Sequence, residues 1–72
     1  MKNPEIVMDL YITRITDMYA KRKNIEQDIA LEIVLGSKTC DTLLDKETGL
    51  CYEMLEYVYE IFLEEVGEPI DI

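Results

Sequence analysis

The first third of the chain repeats its apolar residues at helical spacing. From Pro4 to about Lys21, one face carries an apolar stripe formed by Met8, Ile12, Ile15 and Tyr19. Asn3 suits a helix cap and Pro4 suits the first helical position, so the pattern predicts a helix that begins here. Further apolar residues beside the stripe widen it, which indicates contact with two neighbouring elements.

A basic cluster follows this helix at Lys21, Arg22 and Lys23. Cations at the C-terminal end of a helix complement its dipole, whereas clustered cations elsewhere often bind phosphate. The position at the predicted helix end favours the first interpretation.

A second helix is predicted from Ile25 to about Leu35. Asn24 and Gln27 have the spacing of a capping box, and Gly36 is suited to end the helix. A buried strand is the alternative, because the segment is rich in Ile and Val, but the cap and the glycine favour a helix.

Apolar residues lie nearly all round this second helix, and Glu32 alone interrupts the run that begins at Ile29. A helix with so little polar surface is either buried on most sides or lies in an interface. We therefore predict an oligomer seam at Ile29, Ile33 and Val34, which would make the chain a homodimer or larger homo-oligomer.

Residues 37–50 have the least regular pattern. A Ser or Thr at their start could cap one short turn of helix over residues 40–44. Residues 45–49 have the composition of a turn, and Gly49 is the natural position for a positive φ. A tight hairpin across the same turn is the competing structure.

The last predicted helix spans about Cys51 to Val66 and ends at Gly67 and Pro69. Its predicted core face consists of Leu55, Val58, Ile61 and Phe62. Together the elements predict one small all-α domain over residues 1–72, a bundle of three main helices with a short turn, partial helix or tight hairpin at about 37–50.

Glutamates recur on the opposite face of the last helix at spacings of three, four and four, as Glu53, Glu56, Glu60 and Glu64. No Lys or Arg interrupts them. One interpretation is a solvated face that keeps a small apolar protein soluble. The other is a docking face for a basic partner, because complementary charge speeds association and sets register.

Charge is distributed unevenly along the 72 residues, whose formal net charge is −9. Residues 1–36 carry five basic and six acidic groups, a net of −1, whereas residues 37–72 carry two basic and ten acidic groups, a net of −8. This balance opposes binding to nucleic acid. No apolar run approaches the length of a membrane span or of a signal peptide, so we expect a cytoplasmic protein without a membrane partner.

The residues that usually carry chemistry are scarce. The sequence contains no histidine and two cysteines, Cys40 and Cys51, which cannot complete a four-ligand zinc site. Asp45 and Glu56 stand at the first and twelfth positions of a calcium loop, but Leu50 replaces its sixth-position glycine. We therefore predict reduced structural thiols, no metal, no cofactor, no catalytic residue and no enzymatic activity.

Five tyrosines accompany one phenylalanine and no tryptophan. Tyrosine suits positions that are partly buried and partly wet, which include protein interfaces. Tyr57 and Tyr59 point in different directions on a helix, so we expect at least one of them to lie outside the intrachain core. Both are candidates, with the four glutamates, for contact with a partner.

The segment Asp41-Thr42-Leu43-Leu44-Asp45-Lys46-Glu47-Thr48-Gly49-Leu50-Cys51-Tyr52-Glu53, followed by Tyr57-Val58, resembles a family of short bacterial helical proteins of unknown function. These share a leading helix, a second helix begun by Asn, and an acidic-x-Glu-Thr-Gly-Leu turn before a tyrosine-containing last helix. The resemblance implies a domain of unknown function, in some cases beside a toxin-like partner. It supplies no catalytic residues, and Cys51 departs from the aromatic or polar residue expected there.

Two functions follow as hypotheses. The first is a non-enzymatic protein-binding accessory module, antitoxin-like in the sense of the resemblance, whose glutamate face and tyrosines contact a basic or toxin-like protein. The alternative is a stand-alone homodimeric structural protein with no dedicated ligand.

Overall fold

The computed structural model describes the backbone of residues 4–69 and the side chains of residues 6–69. Over this part of the chain it contains four α-helices: α1 (Pro4–Lys23), α2 (Gln27–Leu35), α3 (Lys38–Leu44) and α4 (Leu55–Glu65). Two 3₁₀ turns, Lys46–Thr48 and Leu50–Tyr52, connect α3 to α4. The all-α prediction is confirmed, but the bundle has four helices where three were predicted, because residues 38–44 form a helix of their own.

The end of α1 differs from the predicted capping box. Asn24 has a left-handed φ of 56°, its N–H donates to the carbonyl of Lys21, and the N–H of Ile25 reaches back to the carbonyl of Ala20 at 3.0 Å. This is the Schellman arrangement, in which two otherwise unpaired helix carbonyls obtain donors. Asn24 therefore ends α1 and does not cap α2, because Asn tolerates a positive φ better than most residues.

The second helix begins two residues later than predicted. Glu26 occupies its N-cap without a side-chain hydrogen bond, and Gly36 ends it as predicted. The Gln27 amide donates to Asp17 Oδ1 of α1 at 2.9 Å instead of reaching back to Asn24. The connection is short and α1 and α2 lie antiparallel.

Residues 37–50 contain the partial helix, and the alternative of a tight hairpin is wrong for this stretch. The Ser37 hydroxyl caps α3 by accepting from the N–H of Cys40 at 3.1 Å. Asp45 then caps the first 3₁₀ turn through Oδ1, and Gly49 has a φ of 73°, as its position in the turn predicted. These caps and turns give the backbone N–H and C=O groups of the segment local hydrogen-bond partners. The segment therefore needs no partner strand.

The start of α4 was predicted four residues too early. Residues 50–52 form a 3₁₀ turn, and Glu53 and Met54 have extended backbone before the helix begins at Leu55. The Tyr11 hydroxyl donates to the carbonyl of Glu53 at 2.7 Å, which attaches this extended segment to α1. At its other end α4 closes on Gly67, with a φ of 79°.

The core lies between the helices and combines residues of the predicted apolar stripes with Leu43 and Cys51, which belong to neither stripe. Its largest fully buried side chains are Phe62, Ile15, Leu43, Val58 and Cys51. The rings of Tyr19 and Phe62 meet edge to face with centroids 5.0 Å apart. Burying these side chains supplies the main favourable term that holds α1, α3 and α4 together.

Thr16 is buried in α1, and its hydroxyl has no hydrogen-bond partner within residues 6–69. A buried hydroxyl without a partner destabilises a fold, so we expect Thr16→Val to raise the free energy of unfolding by about 1 kcal/mol. Urea denaturation followed by circular dichroism measures the change.

The matched control is Thr39→Val, since Thr39 is equally buried but its hydroxyl donates to Glu65 Oε1 at 2.7 Å. This variant should lower the free energy of unfolding by about 1 kcal/mol. A loss of stability in both variants would contradict the assignment of Thr16 as unsatisfied.

Candidate protein-binding face

Three of the four predicted glutamates share one exposed face of α4. Glu56, Glu60 and Glu64 are separated by four residues each, which places them on successive turns, and all three are exposed. None of them takes part in an ion pair or side-chain hydrogen bond with another described residue. We call these three residues the acidic face. Their negative charge is directed toward solvent and is not neutralised within the part of the chain that the structure describes.

Glu53 does not belong to this face. The prediction placed it on the last helix, but its extended backbone, with φ −83° and ψ 165°, lies before α4 begins. Helical spacing therefore does not apply between Glu53 and Glu56. The regular series of four glutamates is reduced to three.

The two tyrosines of α4 point in different directions, as predicted. The side chain of Tyr57 is 51% exposed beside the acidic face, whereas Tyr59 is half-buried against the core. Tyr57 is therefore available to an external partner over much of its ring.

A cleft of about 240 Å³ lies between α1 and α4 next to the acidic face. Apolar side chains from both helices line it, namely Met18, Leu55, Tyr59 and Leu63. Glu56, Glu60 and Arg22 also line the cleft. Two acidic-face residues and Tyr59 thus line the same partly apolar cleft. The sequence did not predict it, because a cleft depends on how closely α1 and α4 pack.

The basic cluster at the end of α1 contacts acidic groups of the same chain. Lys23 Nζ lies 2.7 Å from Glu68 Oε2, Arg22 also contacts Glu68, and Lys21 Nζ lies 3.2 Å from Asp17 Oδ2. Arg22 Nη2 donates in addition to the carbonyl of Pro69. The hydrogen bond to Glu68 and its charge raise the pKa of Lys23, and the same contact lowers the pKa of Glu68. These contacts agree with the structural interpretation of the cluster.

Glu65 differs from the three glutamates of the acidic face because its carboxylate contacts another helix. Its carboxylate accepts hydrogen bonds from the backbone N–H groups of Lys38 and Thr39 at 2.7 and 2.8 Å, and from the Thr39 hydroxyl. Partial burial opposes its ionisation, but these hydrogen bonds outweigh that effect, and the pKa of Glu65 falls below its usual 4.5. Glu65 therefore caps α3 from a distance of 26 residues along the chain.

Both cysteines are buried and unbonded, with 3% of Cys40 and 2% of Cys51 exposed. Burial, with a smaller contribution from Asp41, raises the pKa of the Cys40 thiol. The thiol form is therefore favoured, which makes Cys40 a poor nucleophile. Among the described residues, no group of three or more His, Cys, Asp or Glu side chains is arranged to hold a metal ion.

The predicted oligomer seam is only partly exposed. Val34 is 3% exposed and belongs to the intrachain core, so its assignment to the seam is wrong. Ile29 and Ile33 remain on the surface, with 47% and 37% of each exposed. The physical reason is that α2 buries one narrow side, Ala30 and Val34, against the rest of the domain.

Sequence reasoning missed two exposed apolar side chains just before α4. Tyr52 and Met54 are 71% and 69% exposed. Both lie within the predicted last helix, Cys51 to Val66. Tyr52 ends a 3₁₀ turn and Met54 has extended backbone, so neither has the helical conformation that was predicted for it.

Comparisons with protein-family models, with curated proteins and with solved structures find no significant match. The resemblance to short bacterial helical proteins therefore stays a prediction. Within residues 4–69, no helix combines the length and the apolar composition that a membrane span requires.

Proposed function

We propose that this chain is a non-enzymatic protein-binding module whose acidic face receives a basic protein partner. The observation that carries the proposal is the set of exposed, unpaired carboxylates at Glu56, Glu60 and Glu64, beside the exposed ring of Tyr57. Charge of one sign at the successive turns of a helix attracts a surface of the opposite sign and sets its register.

The cleft between α1 and α4 supports a specific kind of contact. A Lys or Arg side chain has an apolar stem and a charged end, and it commonly lays the stem on apolar surface while the charge stays at the edge. The cleft offers apolar surface from Met18, Leu55 and Leu63, with Glu56 and Glu60 in its lining. A basic partner helix or loop therefore suits this surface better than an acidic or wholly apolar one.

The test is affinity capture from the native host with the full chain as bait, at low salt, followed by purification of the captured protein. The test variant replaces Glu56, Glu60 and Glu64 by Gln, which raises the formal net charge from −9 to −6. We expect it to bind the purified partner at least about tenfold more weakly, because the removed charges face that partner.

The matched control makes the same change in net charge elsewhere, with Asp9→Asn, Asp41→Asn and Glu47→Gln on exposed positions of other elements. It should retain binding to within about twofold, because only the long-range effect of the net charge changes and salt screens that effect. Equal weakening by both triple variants would show that total charge, and not the acidic face, determines binding. Capture of no basic protein would also overturn the proposal.

A further inference from the structure

A second, shallow cleft of about 390 Å³ lies on the other side of α4, between that helix and α3. Leu50 and Ile61 give it apolar surface, and Glu64 of the acidic face also lines it. The rest of its lining consists of Lys38, Thr39, Thr42 and Glu65. The acidic face is therefore divided between two clefts, because Glu56 and Glu60 line the cleft between α1 and α4.

The two clefts lie on opposite flanks of the exposed side of α4. At about 3.6 residues per turn, the α4 residues that line one cleft are centred roughly 160° around the helix axis from those that line the other. Glu60 and Glu64 fall between these two directions, whereas the fully buried Val58 and Phe62 point the opposite way, into the core. The acidic face is therefore a ridge with apolar surface on each side.

Charge favours a basic side chain in each cleft. One cleft is lined by two glutamates and Arg22, and the other by two glutamates and Lys38, so that two negative groups and one positive group give each a formal net charge of −1. Arg22 also contacts Glu68, which lies outside that lining. Lys38 interacts electrostatically with Glu65, whose carboxylate already binds the first N–H groups of α3. The exposed carboxylate of Glu64 therefore remains for an external cation.

We propose that the basic partner inserts one Lys or Arg side chain into each of the two clefts, from an extended segment that passes over the ridge between them. This inference rests on the proposed function and specifies how the partner binds. The apolar surface of each cleft suits the stem of such a side chain, and a glutamate at its edge suits the charged end. A partner that used one cleft alone would neutralise only part of the acidic face.

The ridge favours an extended segment over a helix. An amphipathic helix binds by laying a continuous apolar stripe in an apolar groove. Here the apolar surface is divided between two clefts, and the carboxylates of Glu60 and Glu64 separate them. In an extended segment, successive side chains point to opposite sides, so basic residues a few positions apart reach different clefts.

Titration of the full chain with synthetic peptides at low salt, followed by amide NMR shifts, tests this arrangement. The probes are flexible Gly/Ser peptides with no Arg, with one Arg, or with two Arg residues at a series of separations. We expect the best two-Arg peptide to bind at least about tenfold more tightly than the one-Arg peptide, because its second contact is intramolecular. Its affinity should depend on the separation, since only some separations reach both clefts, and it should shift amides in both α1 and α3.

Two variants each impair one cleft. Glu60→Gln removes a charge from the cleft between α1 and α4, and Thr42→Arg places a cation of the chain itself in the cleft between α3 and α4, at an exposed position. Each should weaken binding of the best two-Arg peptide by about tenfold, to the level of the one-Arg peptide. The matched control, Glu47→Gln, makes the same change of +1 in formal charge at an exposed position that lines neither cleft. It should change the affinity by less than about twofold.

The outcomes distinguish this inference from the function on which it rests. If two-Arg peptides bind no better than the one-Arg peptide at any separation, or if Thr42→Arg has no more effect than Glu47→Gln, the two-cleft arrangement is wrong while the acidic face still binds basic groups. A helical two-Arg peptide that binds more tightly than every flexible one would exclude the extended segment. If the peptides with Arg bind no better than the peptide without Arg, both proposals fail.

Discussion

Phe62→Ala is expected to lower the free energy of unfolding by about 3–5 kcal/mol, the largest effect of any single substitution considered for this protein. Phe62 is 0% exposed, and its ring packs edge to face on Tyr19 with centroids 5.0 Å apart. Truncation removes the buried ring, leaves a cavity and deprives Tyr19 of its aromatic partner. A chain of 72 residues has a total stability of only about 4–11 kcal/mol, so most folded molecules could be lost.

Urea denaturation followed by circular dichroism measures this change, and two further variants make it interpretable. Phe62→Leu keeps most of the apolar volume and should cost about 1–2 kcal/mol, so that it stays folded and measurable. Tyr57→Ala removes a ring from the exposed side of the same helix and should change stability by about 0.5 kcal/mol or less. Similar losses at positions 57 and 62 would contradict the core described above.

Glu65→Ala is expected to destabilise the domain by about 1–2 kcal/mol, although Glu65 lies on a partly exposed helix end. The Glu65 carboxylate accepts from Lys38 N, Thr39 N and the Thr39 hydroxyl, all within 2.8 Å. Its removal leaves the first N–H groups of α3 without these partners and removes a polar link between α3 and α4, whose apolar contact remains. Solvent exposure keeps the effect below that of a buried charged hydrogen bond.

The neighbouring glutamate provides the control. Glu64 has no ion pair or side-chain hydrogen bond with a described residue, so Glu64→Ala should change stability by about 0.5 kcal/mol or less. Equilibrium unfolding of the two alanine variants under identical conditions makes the comparison. An equal loss in both would show that net charge, and not the cap, is responsible.

The effect of Glu65 also has a defined pH dependence. Its pKa is lowered in the folded state, so its stabilisation is fully present above its usual value of 4.5 and declines as the pH falls through the folded pKa. The difference in stability between the unaltered chain and Glu65→Ala should therefore be constant near neutral pH and should shrink in acid. A difference that grew as the pH fell would contradict the assigned hydrogen bonds.

The sequence predicted the helices well wherever apolar spacing and backbone preference act locally. The stripe that includes Met8, Ile15 and Tyr19 is buried in α1, and Val58 and Phe62 are buried in α4. Side chains three or four positions apart share a helix face whatever lies around them, so these core residues follow from local spacing. Ile12, Leu55 and Ile61, which were predicted on the same faces, are only partly buried. The positive φ of Gly49 likewise follows from a local preference of glycine.

The ends of the helices were less predictable, because more than one local pattern fitted the same residues. Asn24 suits both a helix cap and a left-handed helix end, and the structure has the second. The extended segment before α4 is attached to α1 by the bond from the Tyr11 hydroxyl to the carbonyl of Glu53, and these residues are 42 positions apart in sequence. No local pattern contains that contact, and Glu53 was therefore assigned to the acidic face in error.

By itself, then, the sequence determined the all-α class, the apolar stripes and the concentration of acidic residues in the second half. The tertiary structure decided how neighbouring residues of similar type differ in their contacts and burial. Glu64 faces solvent while Glu65 caps α3, and Val34 is in the core while Ile33 is 37% exposed. The physical reason is that local spacing fixes the side of a helix on which a residue lies, whereas the neighbour on that side is fixed only when distant segments pack together.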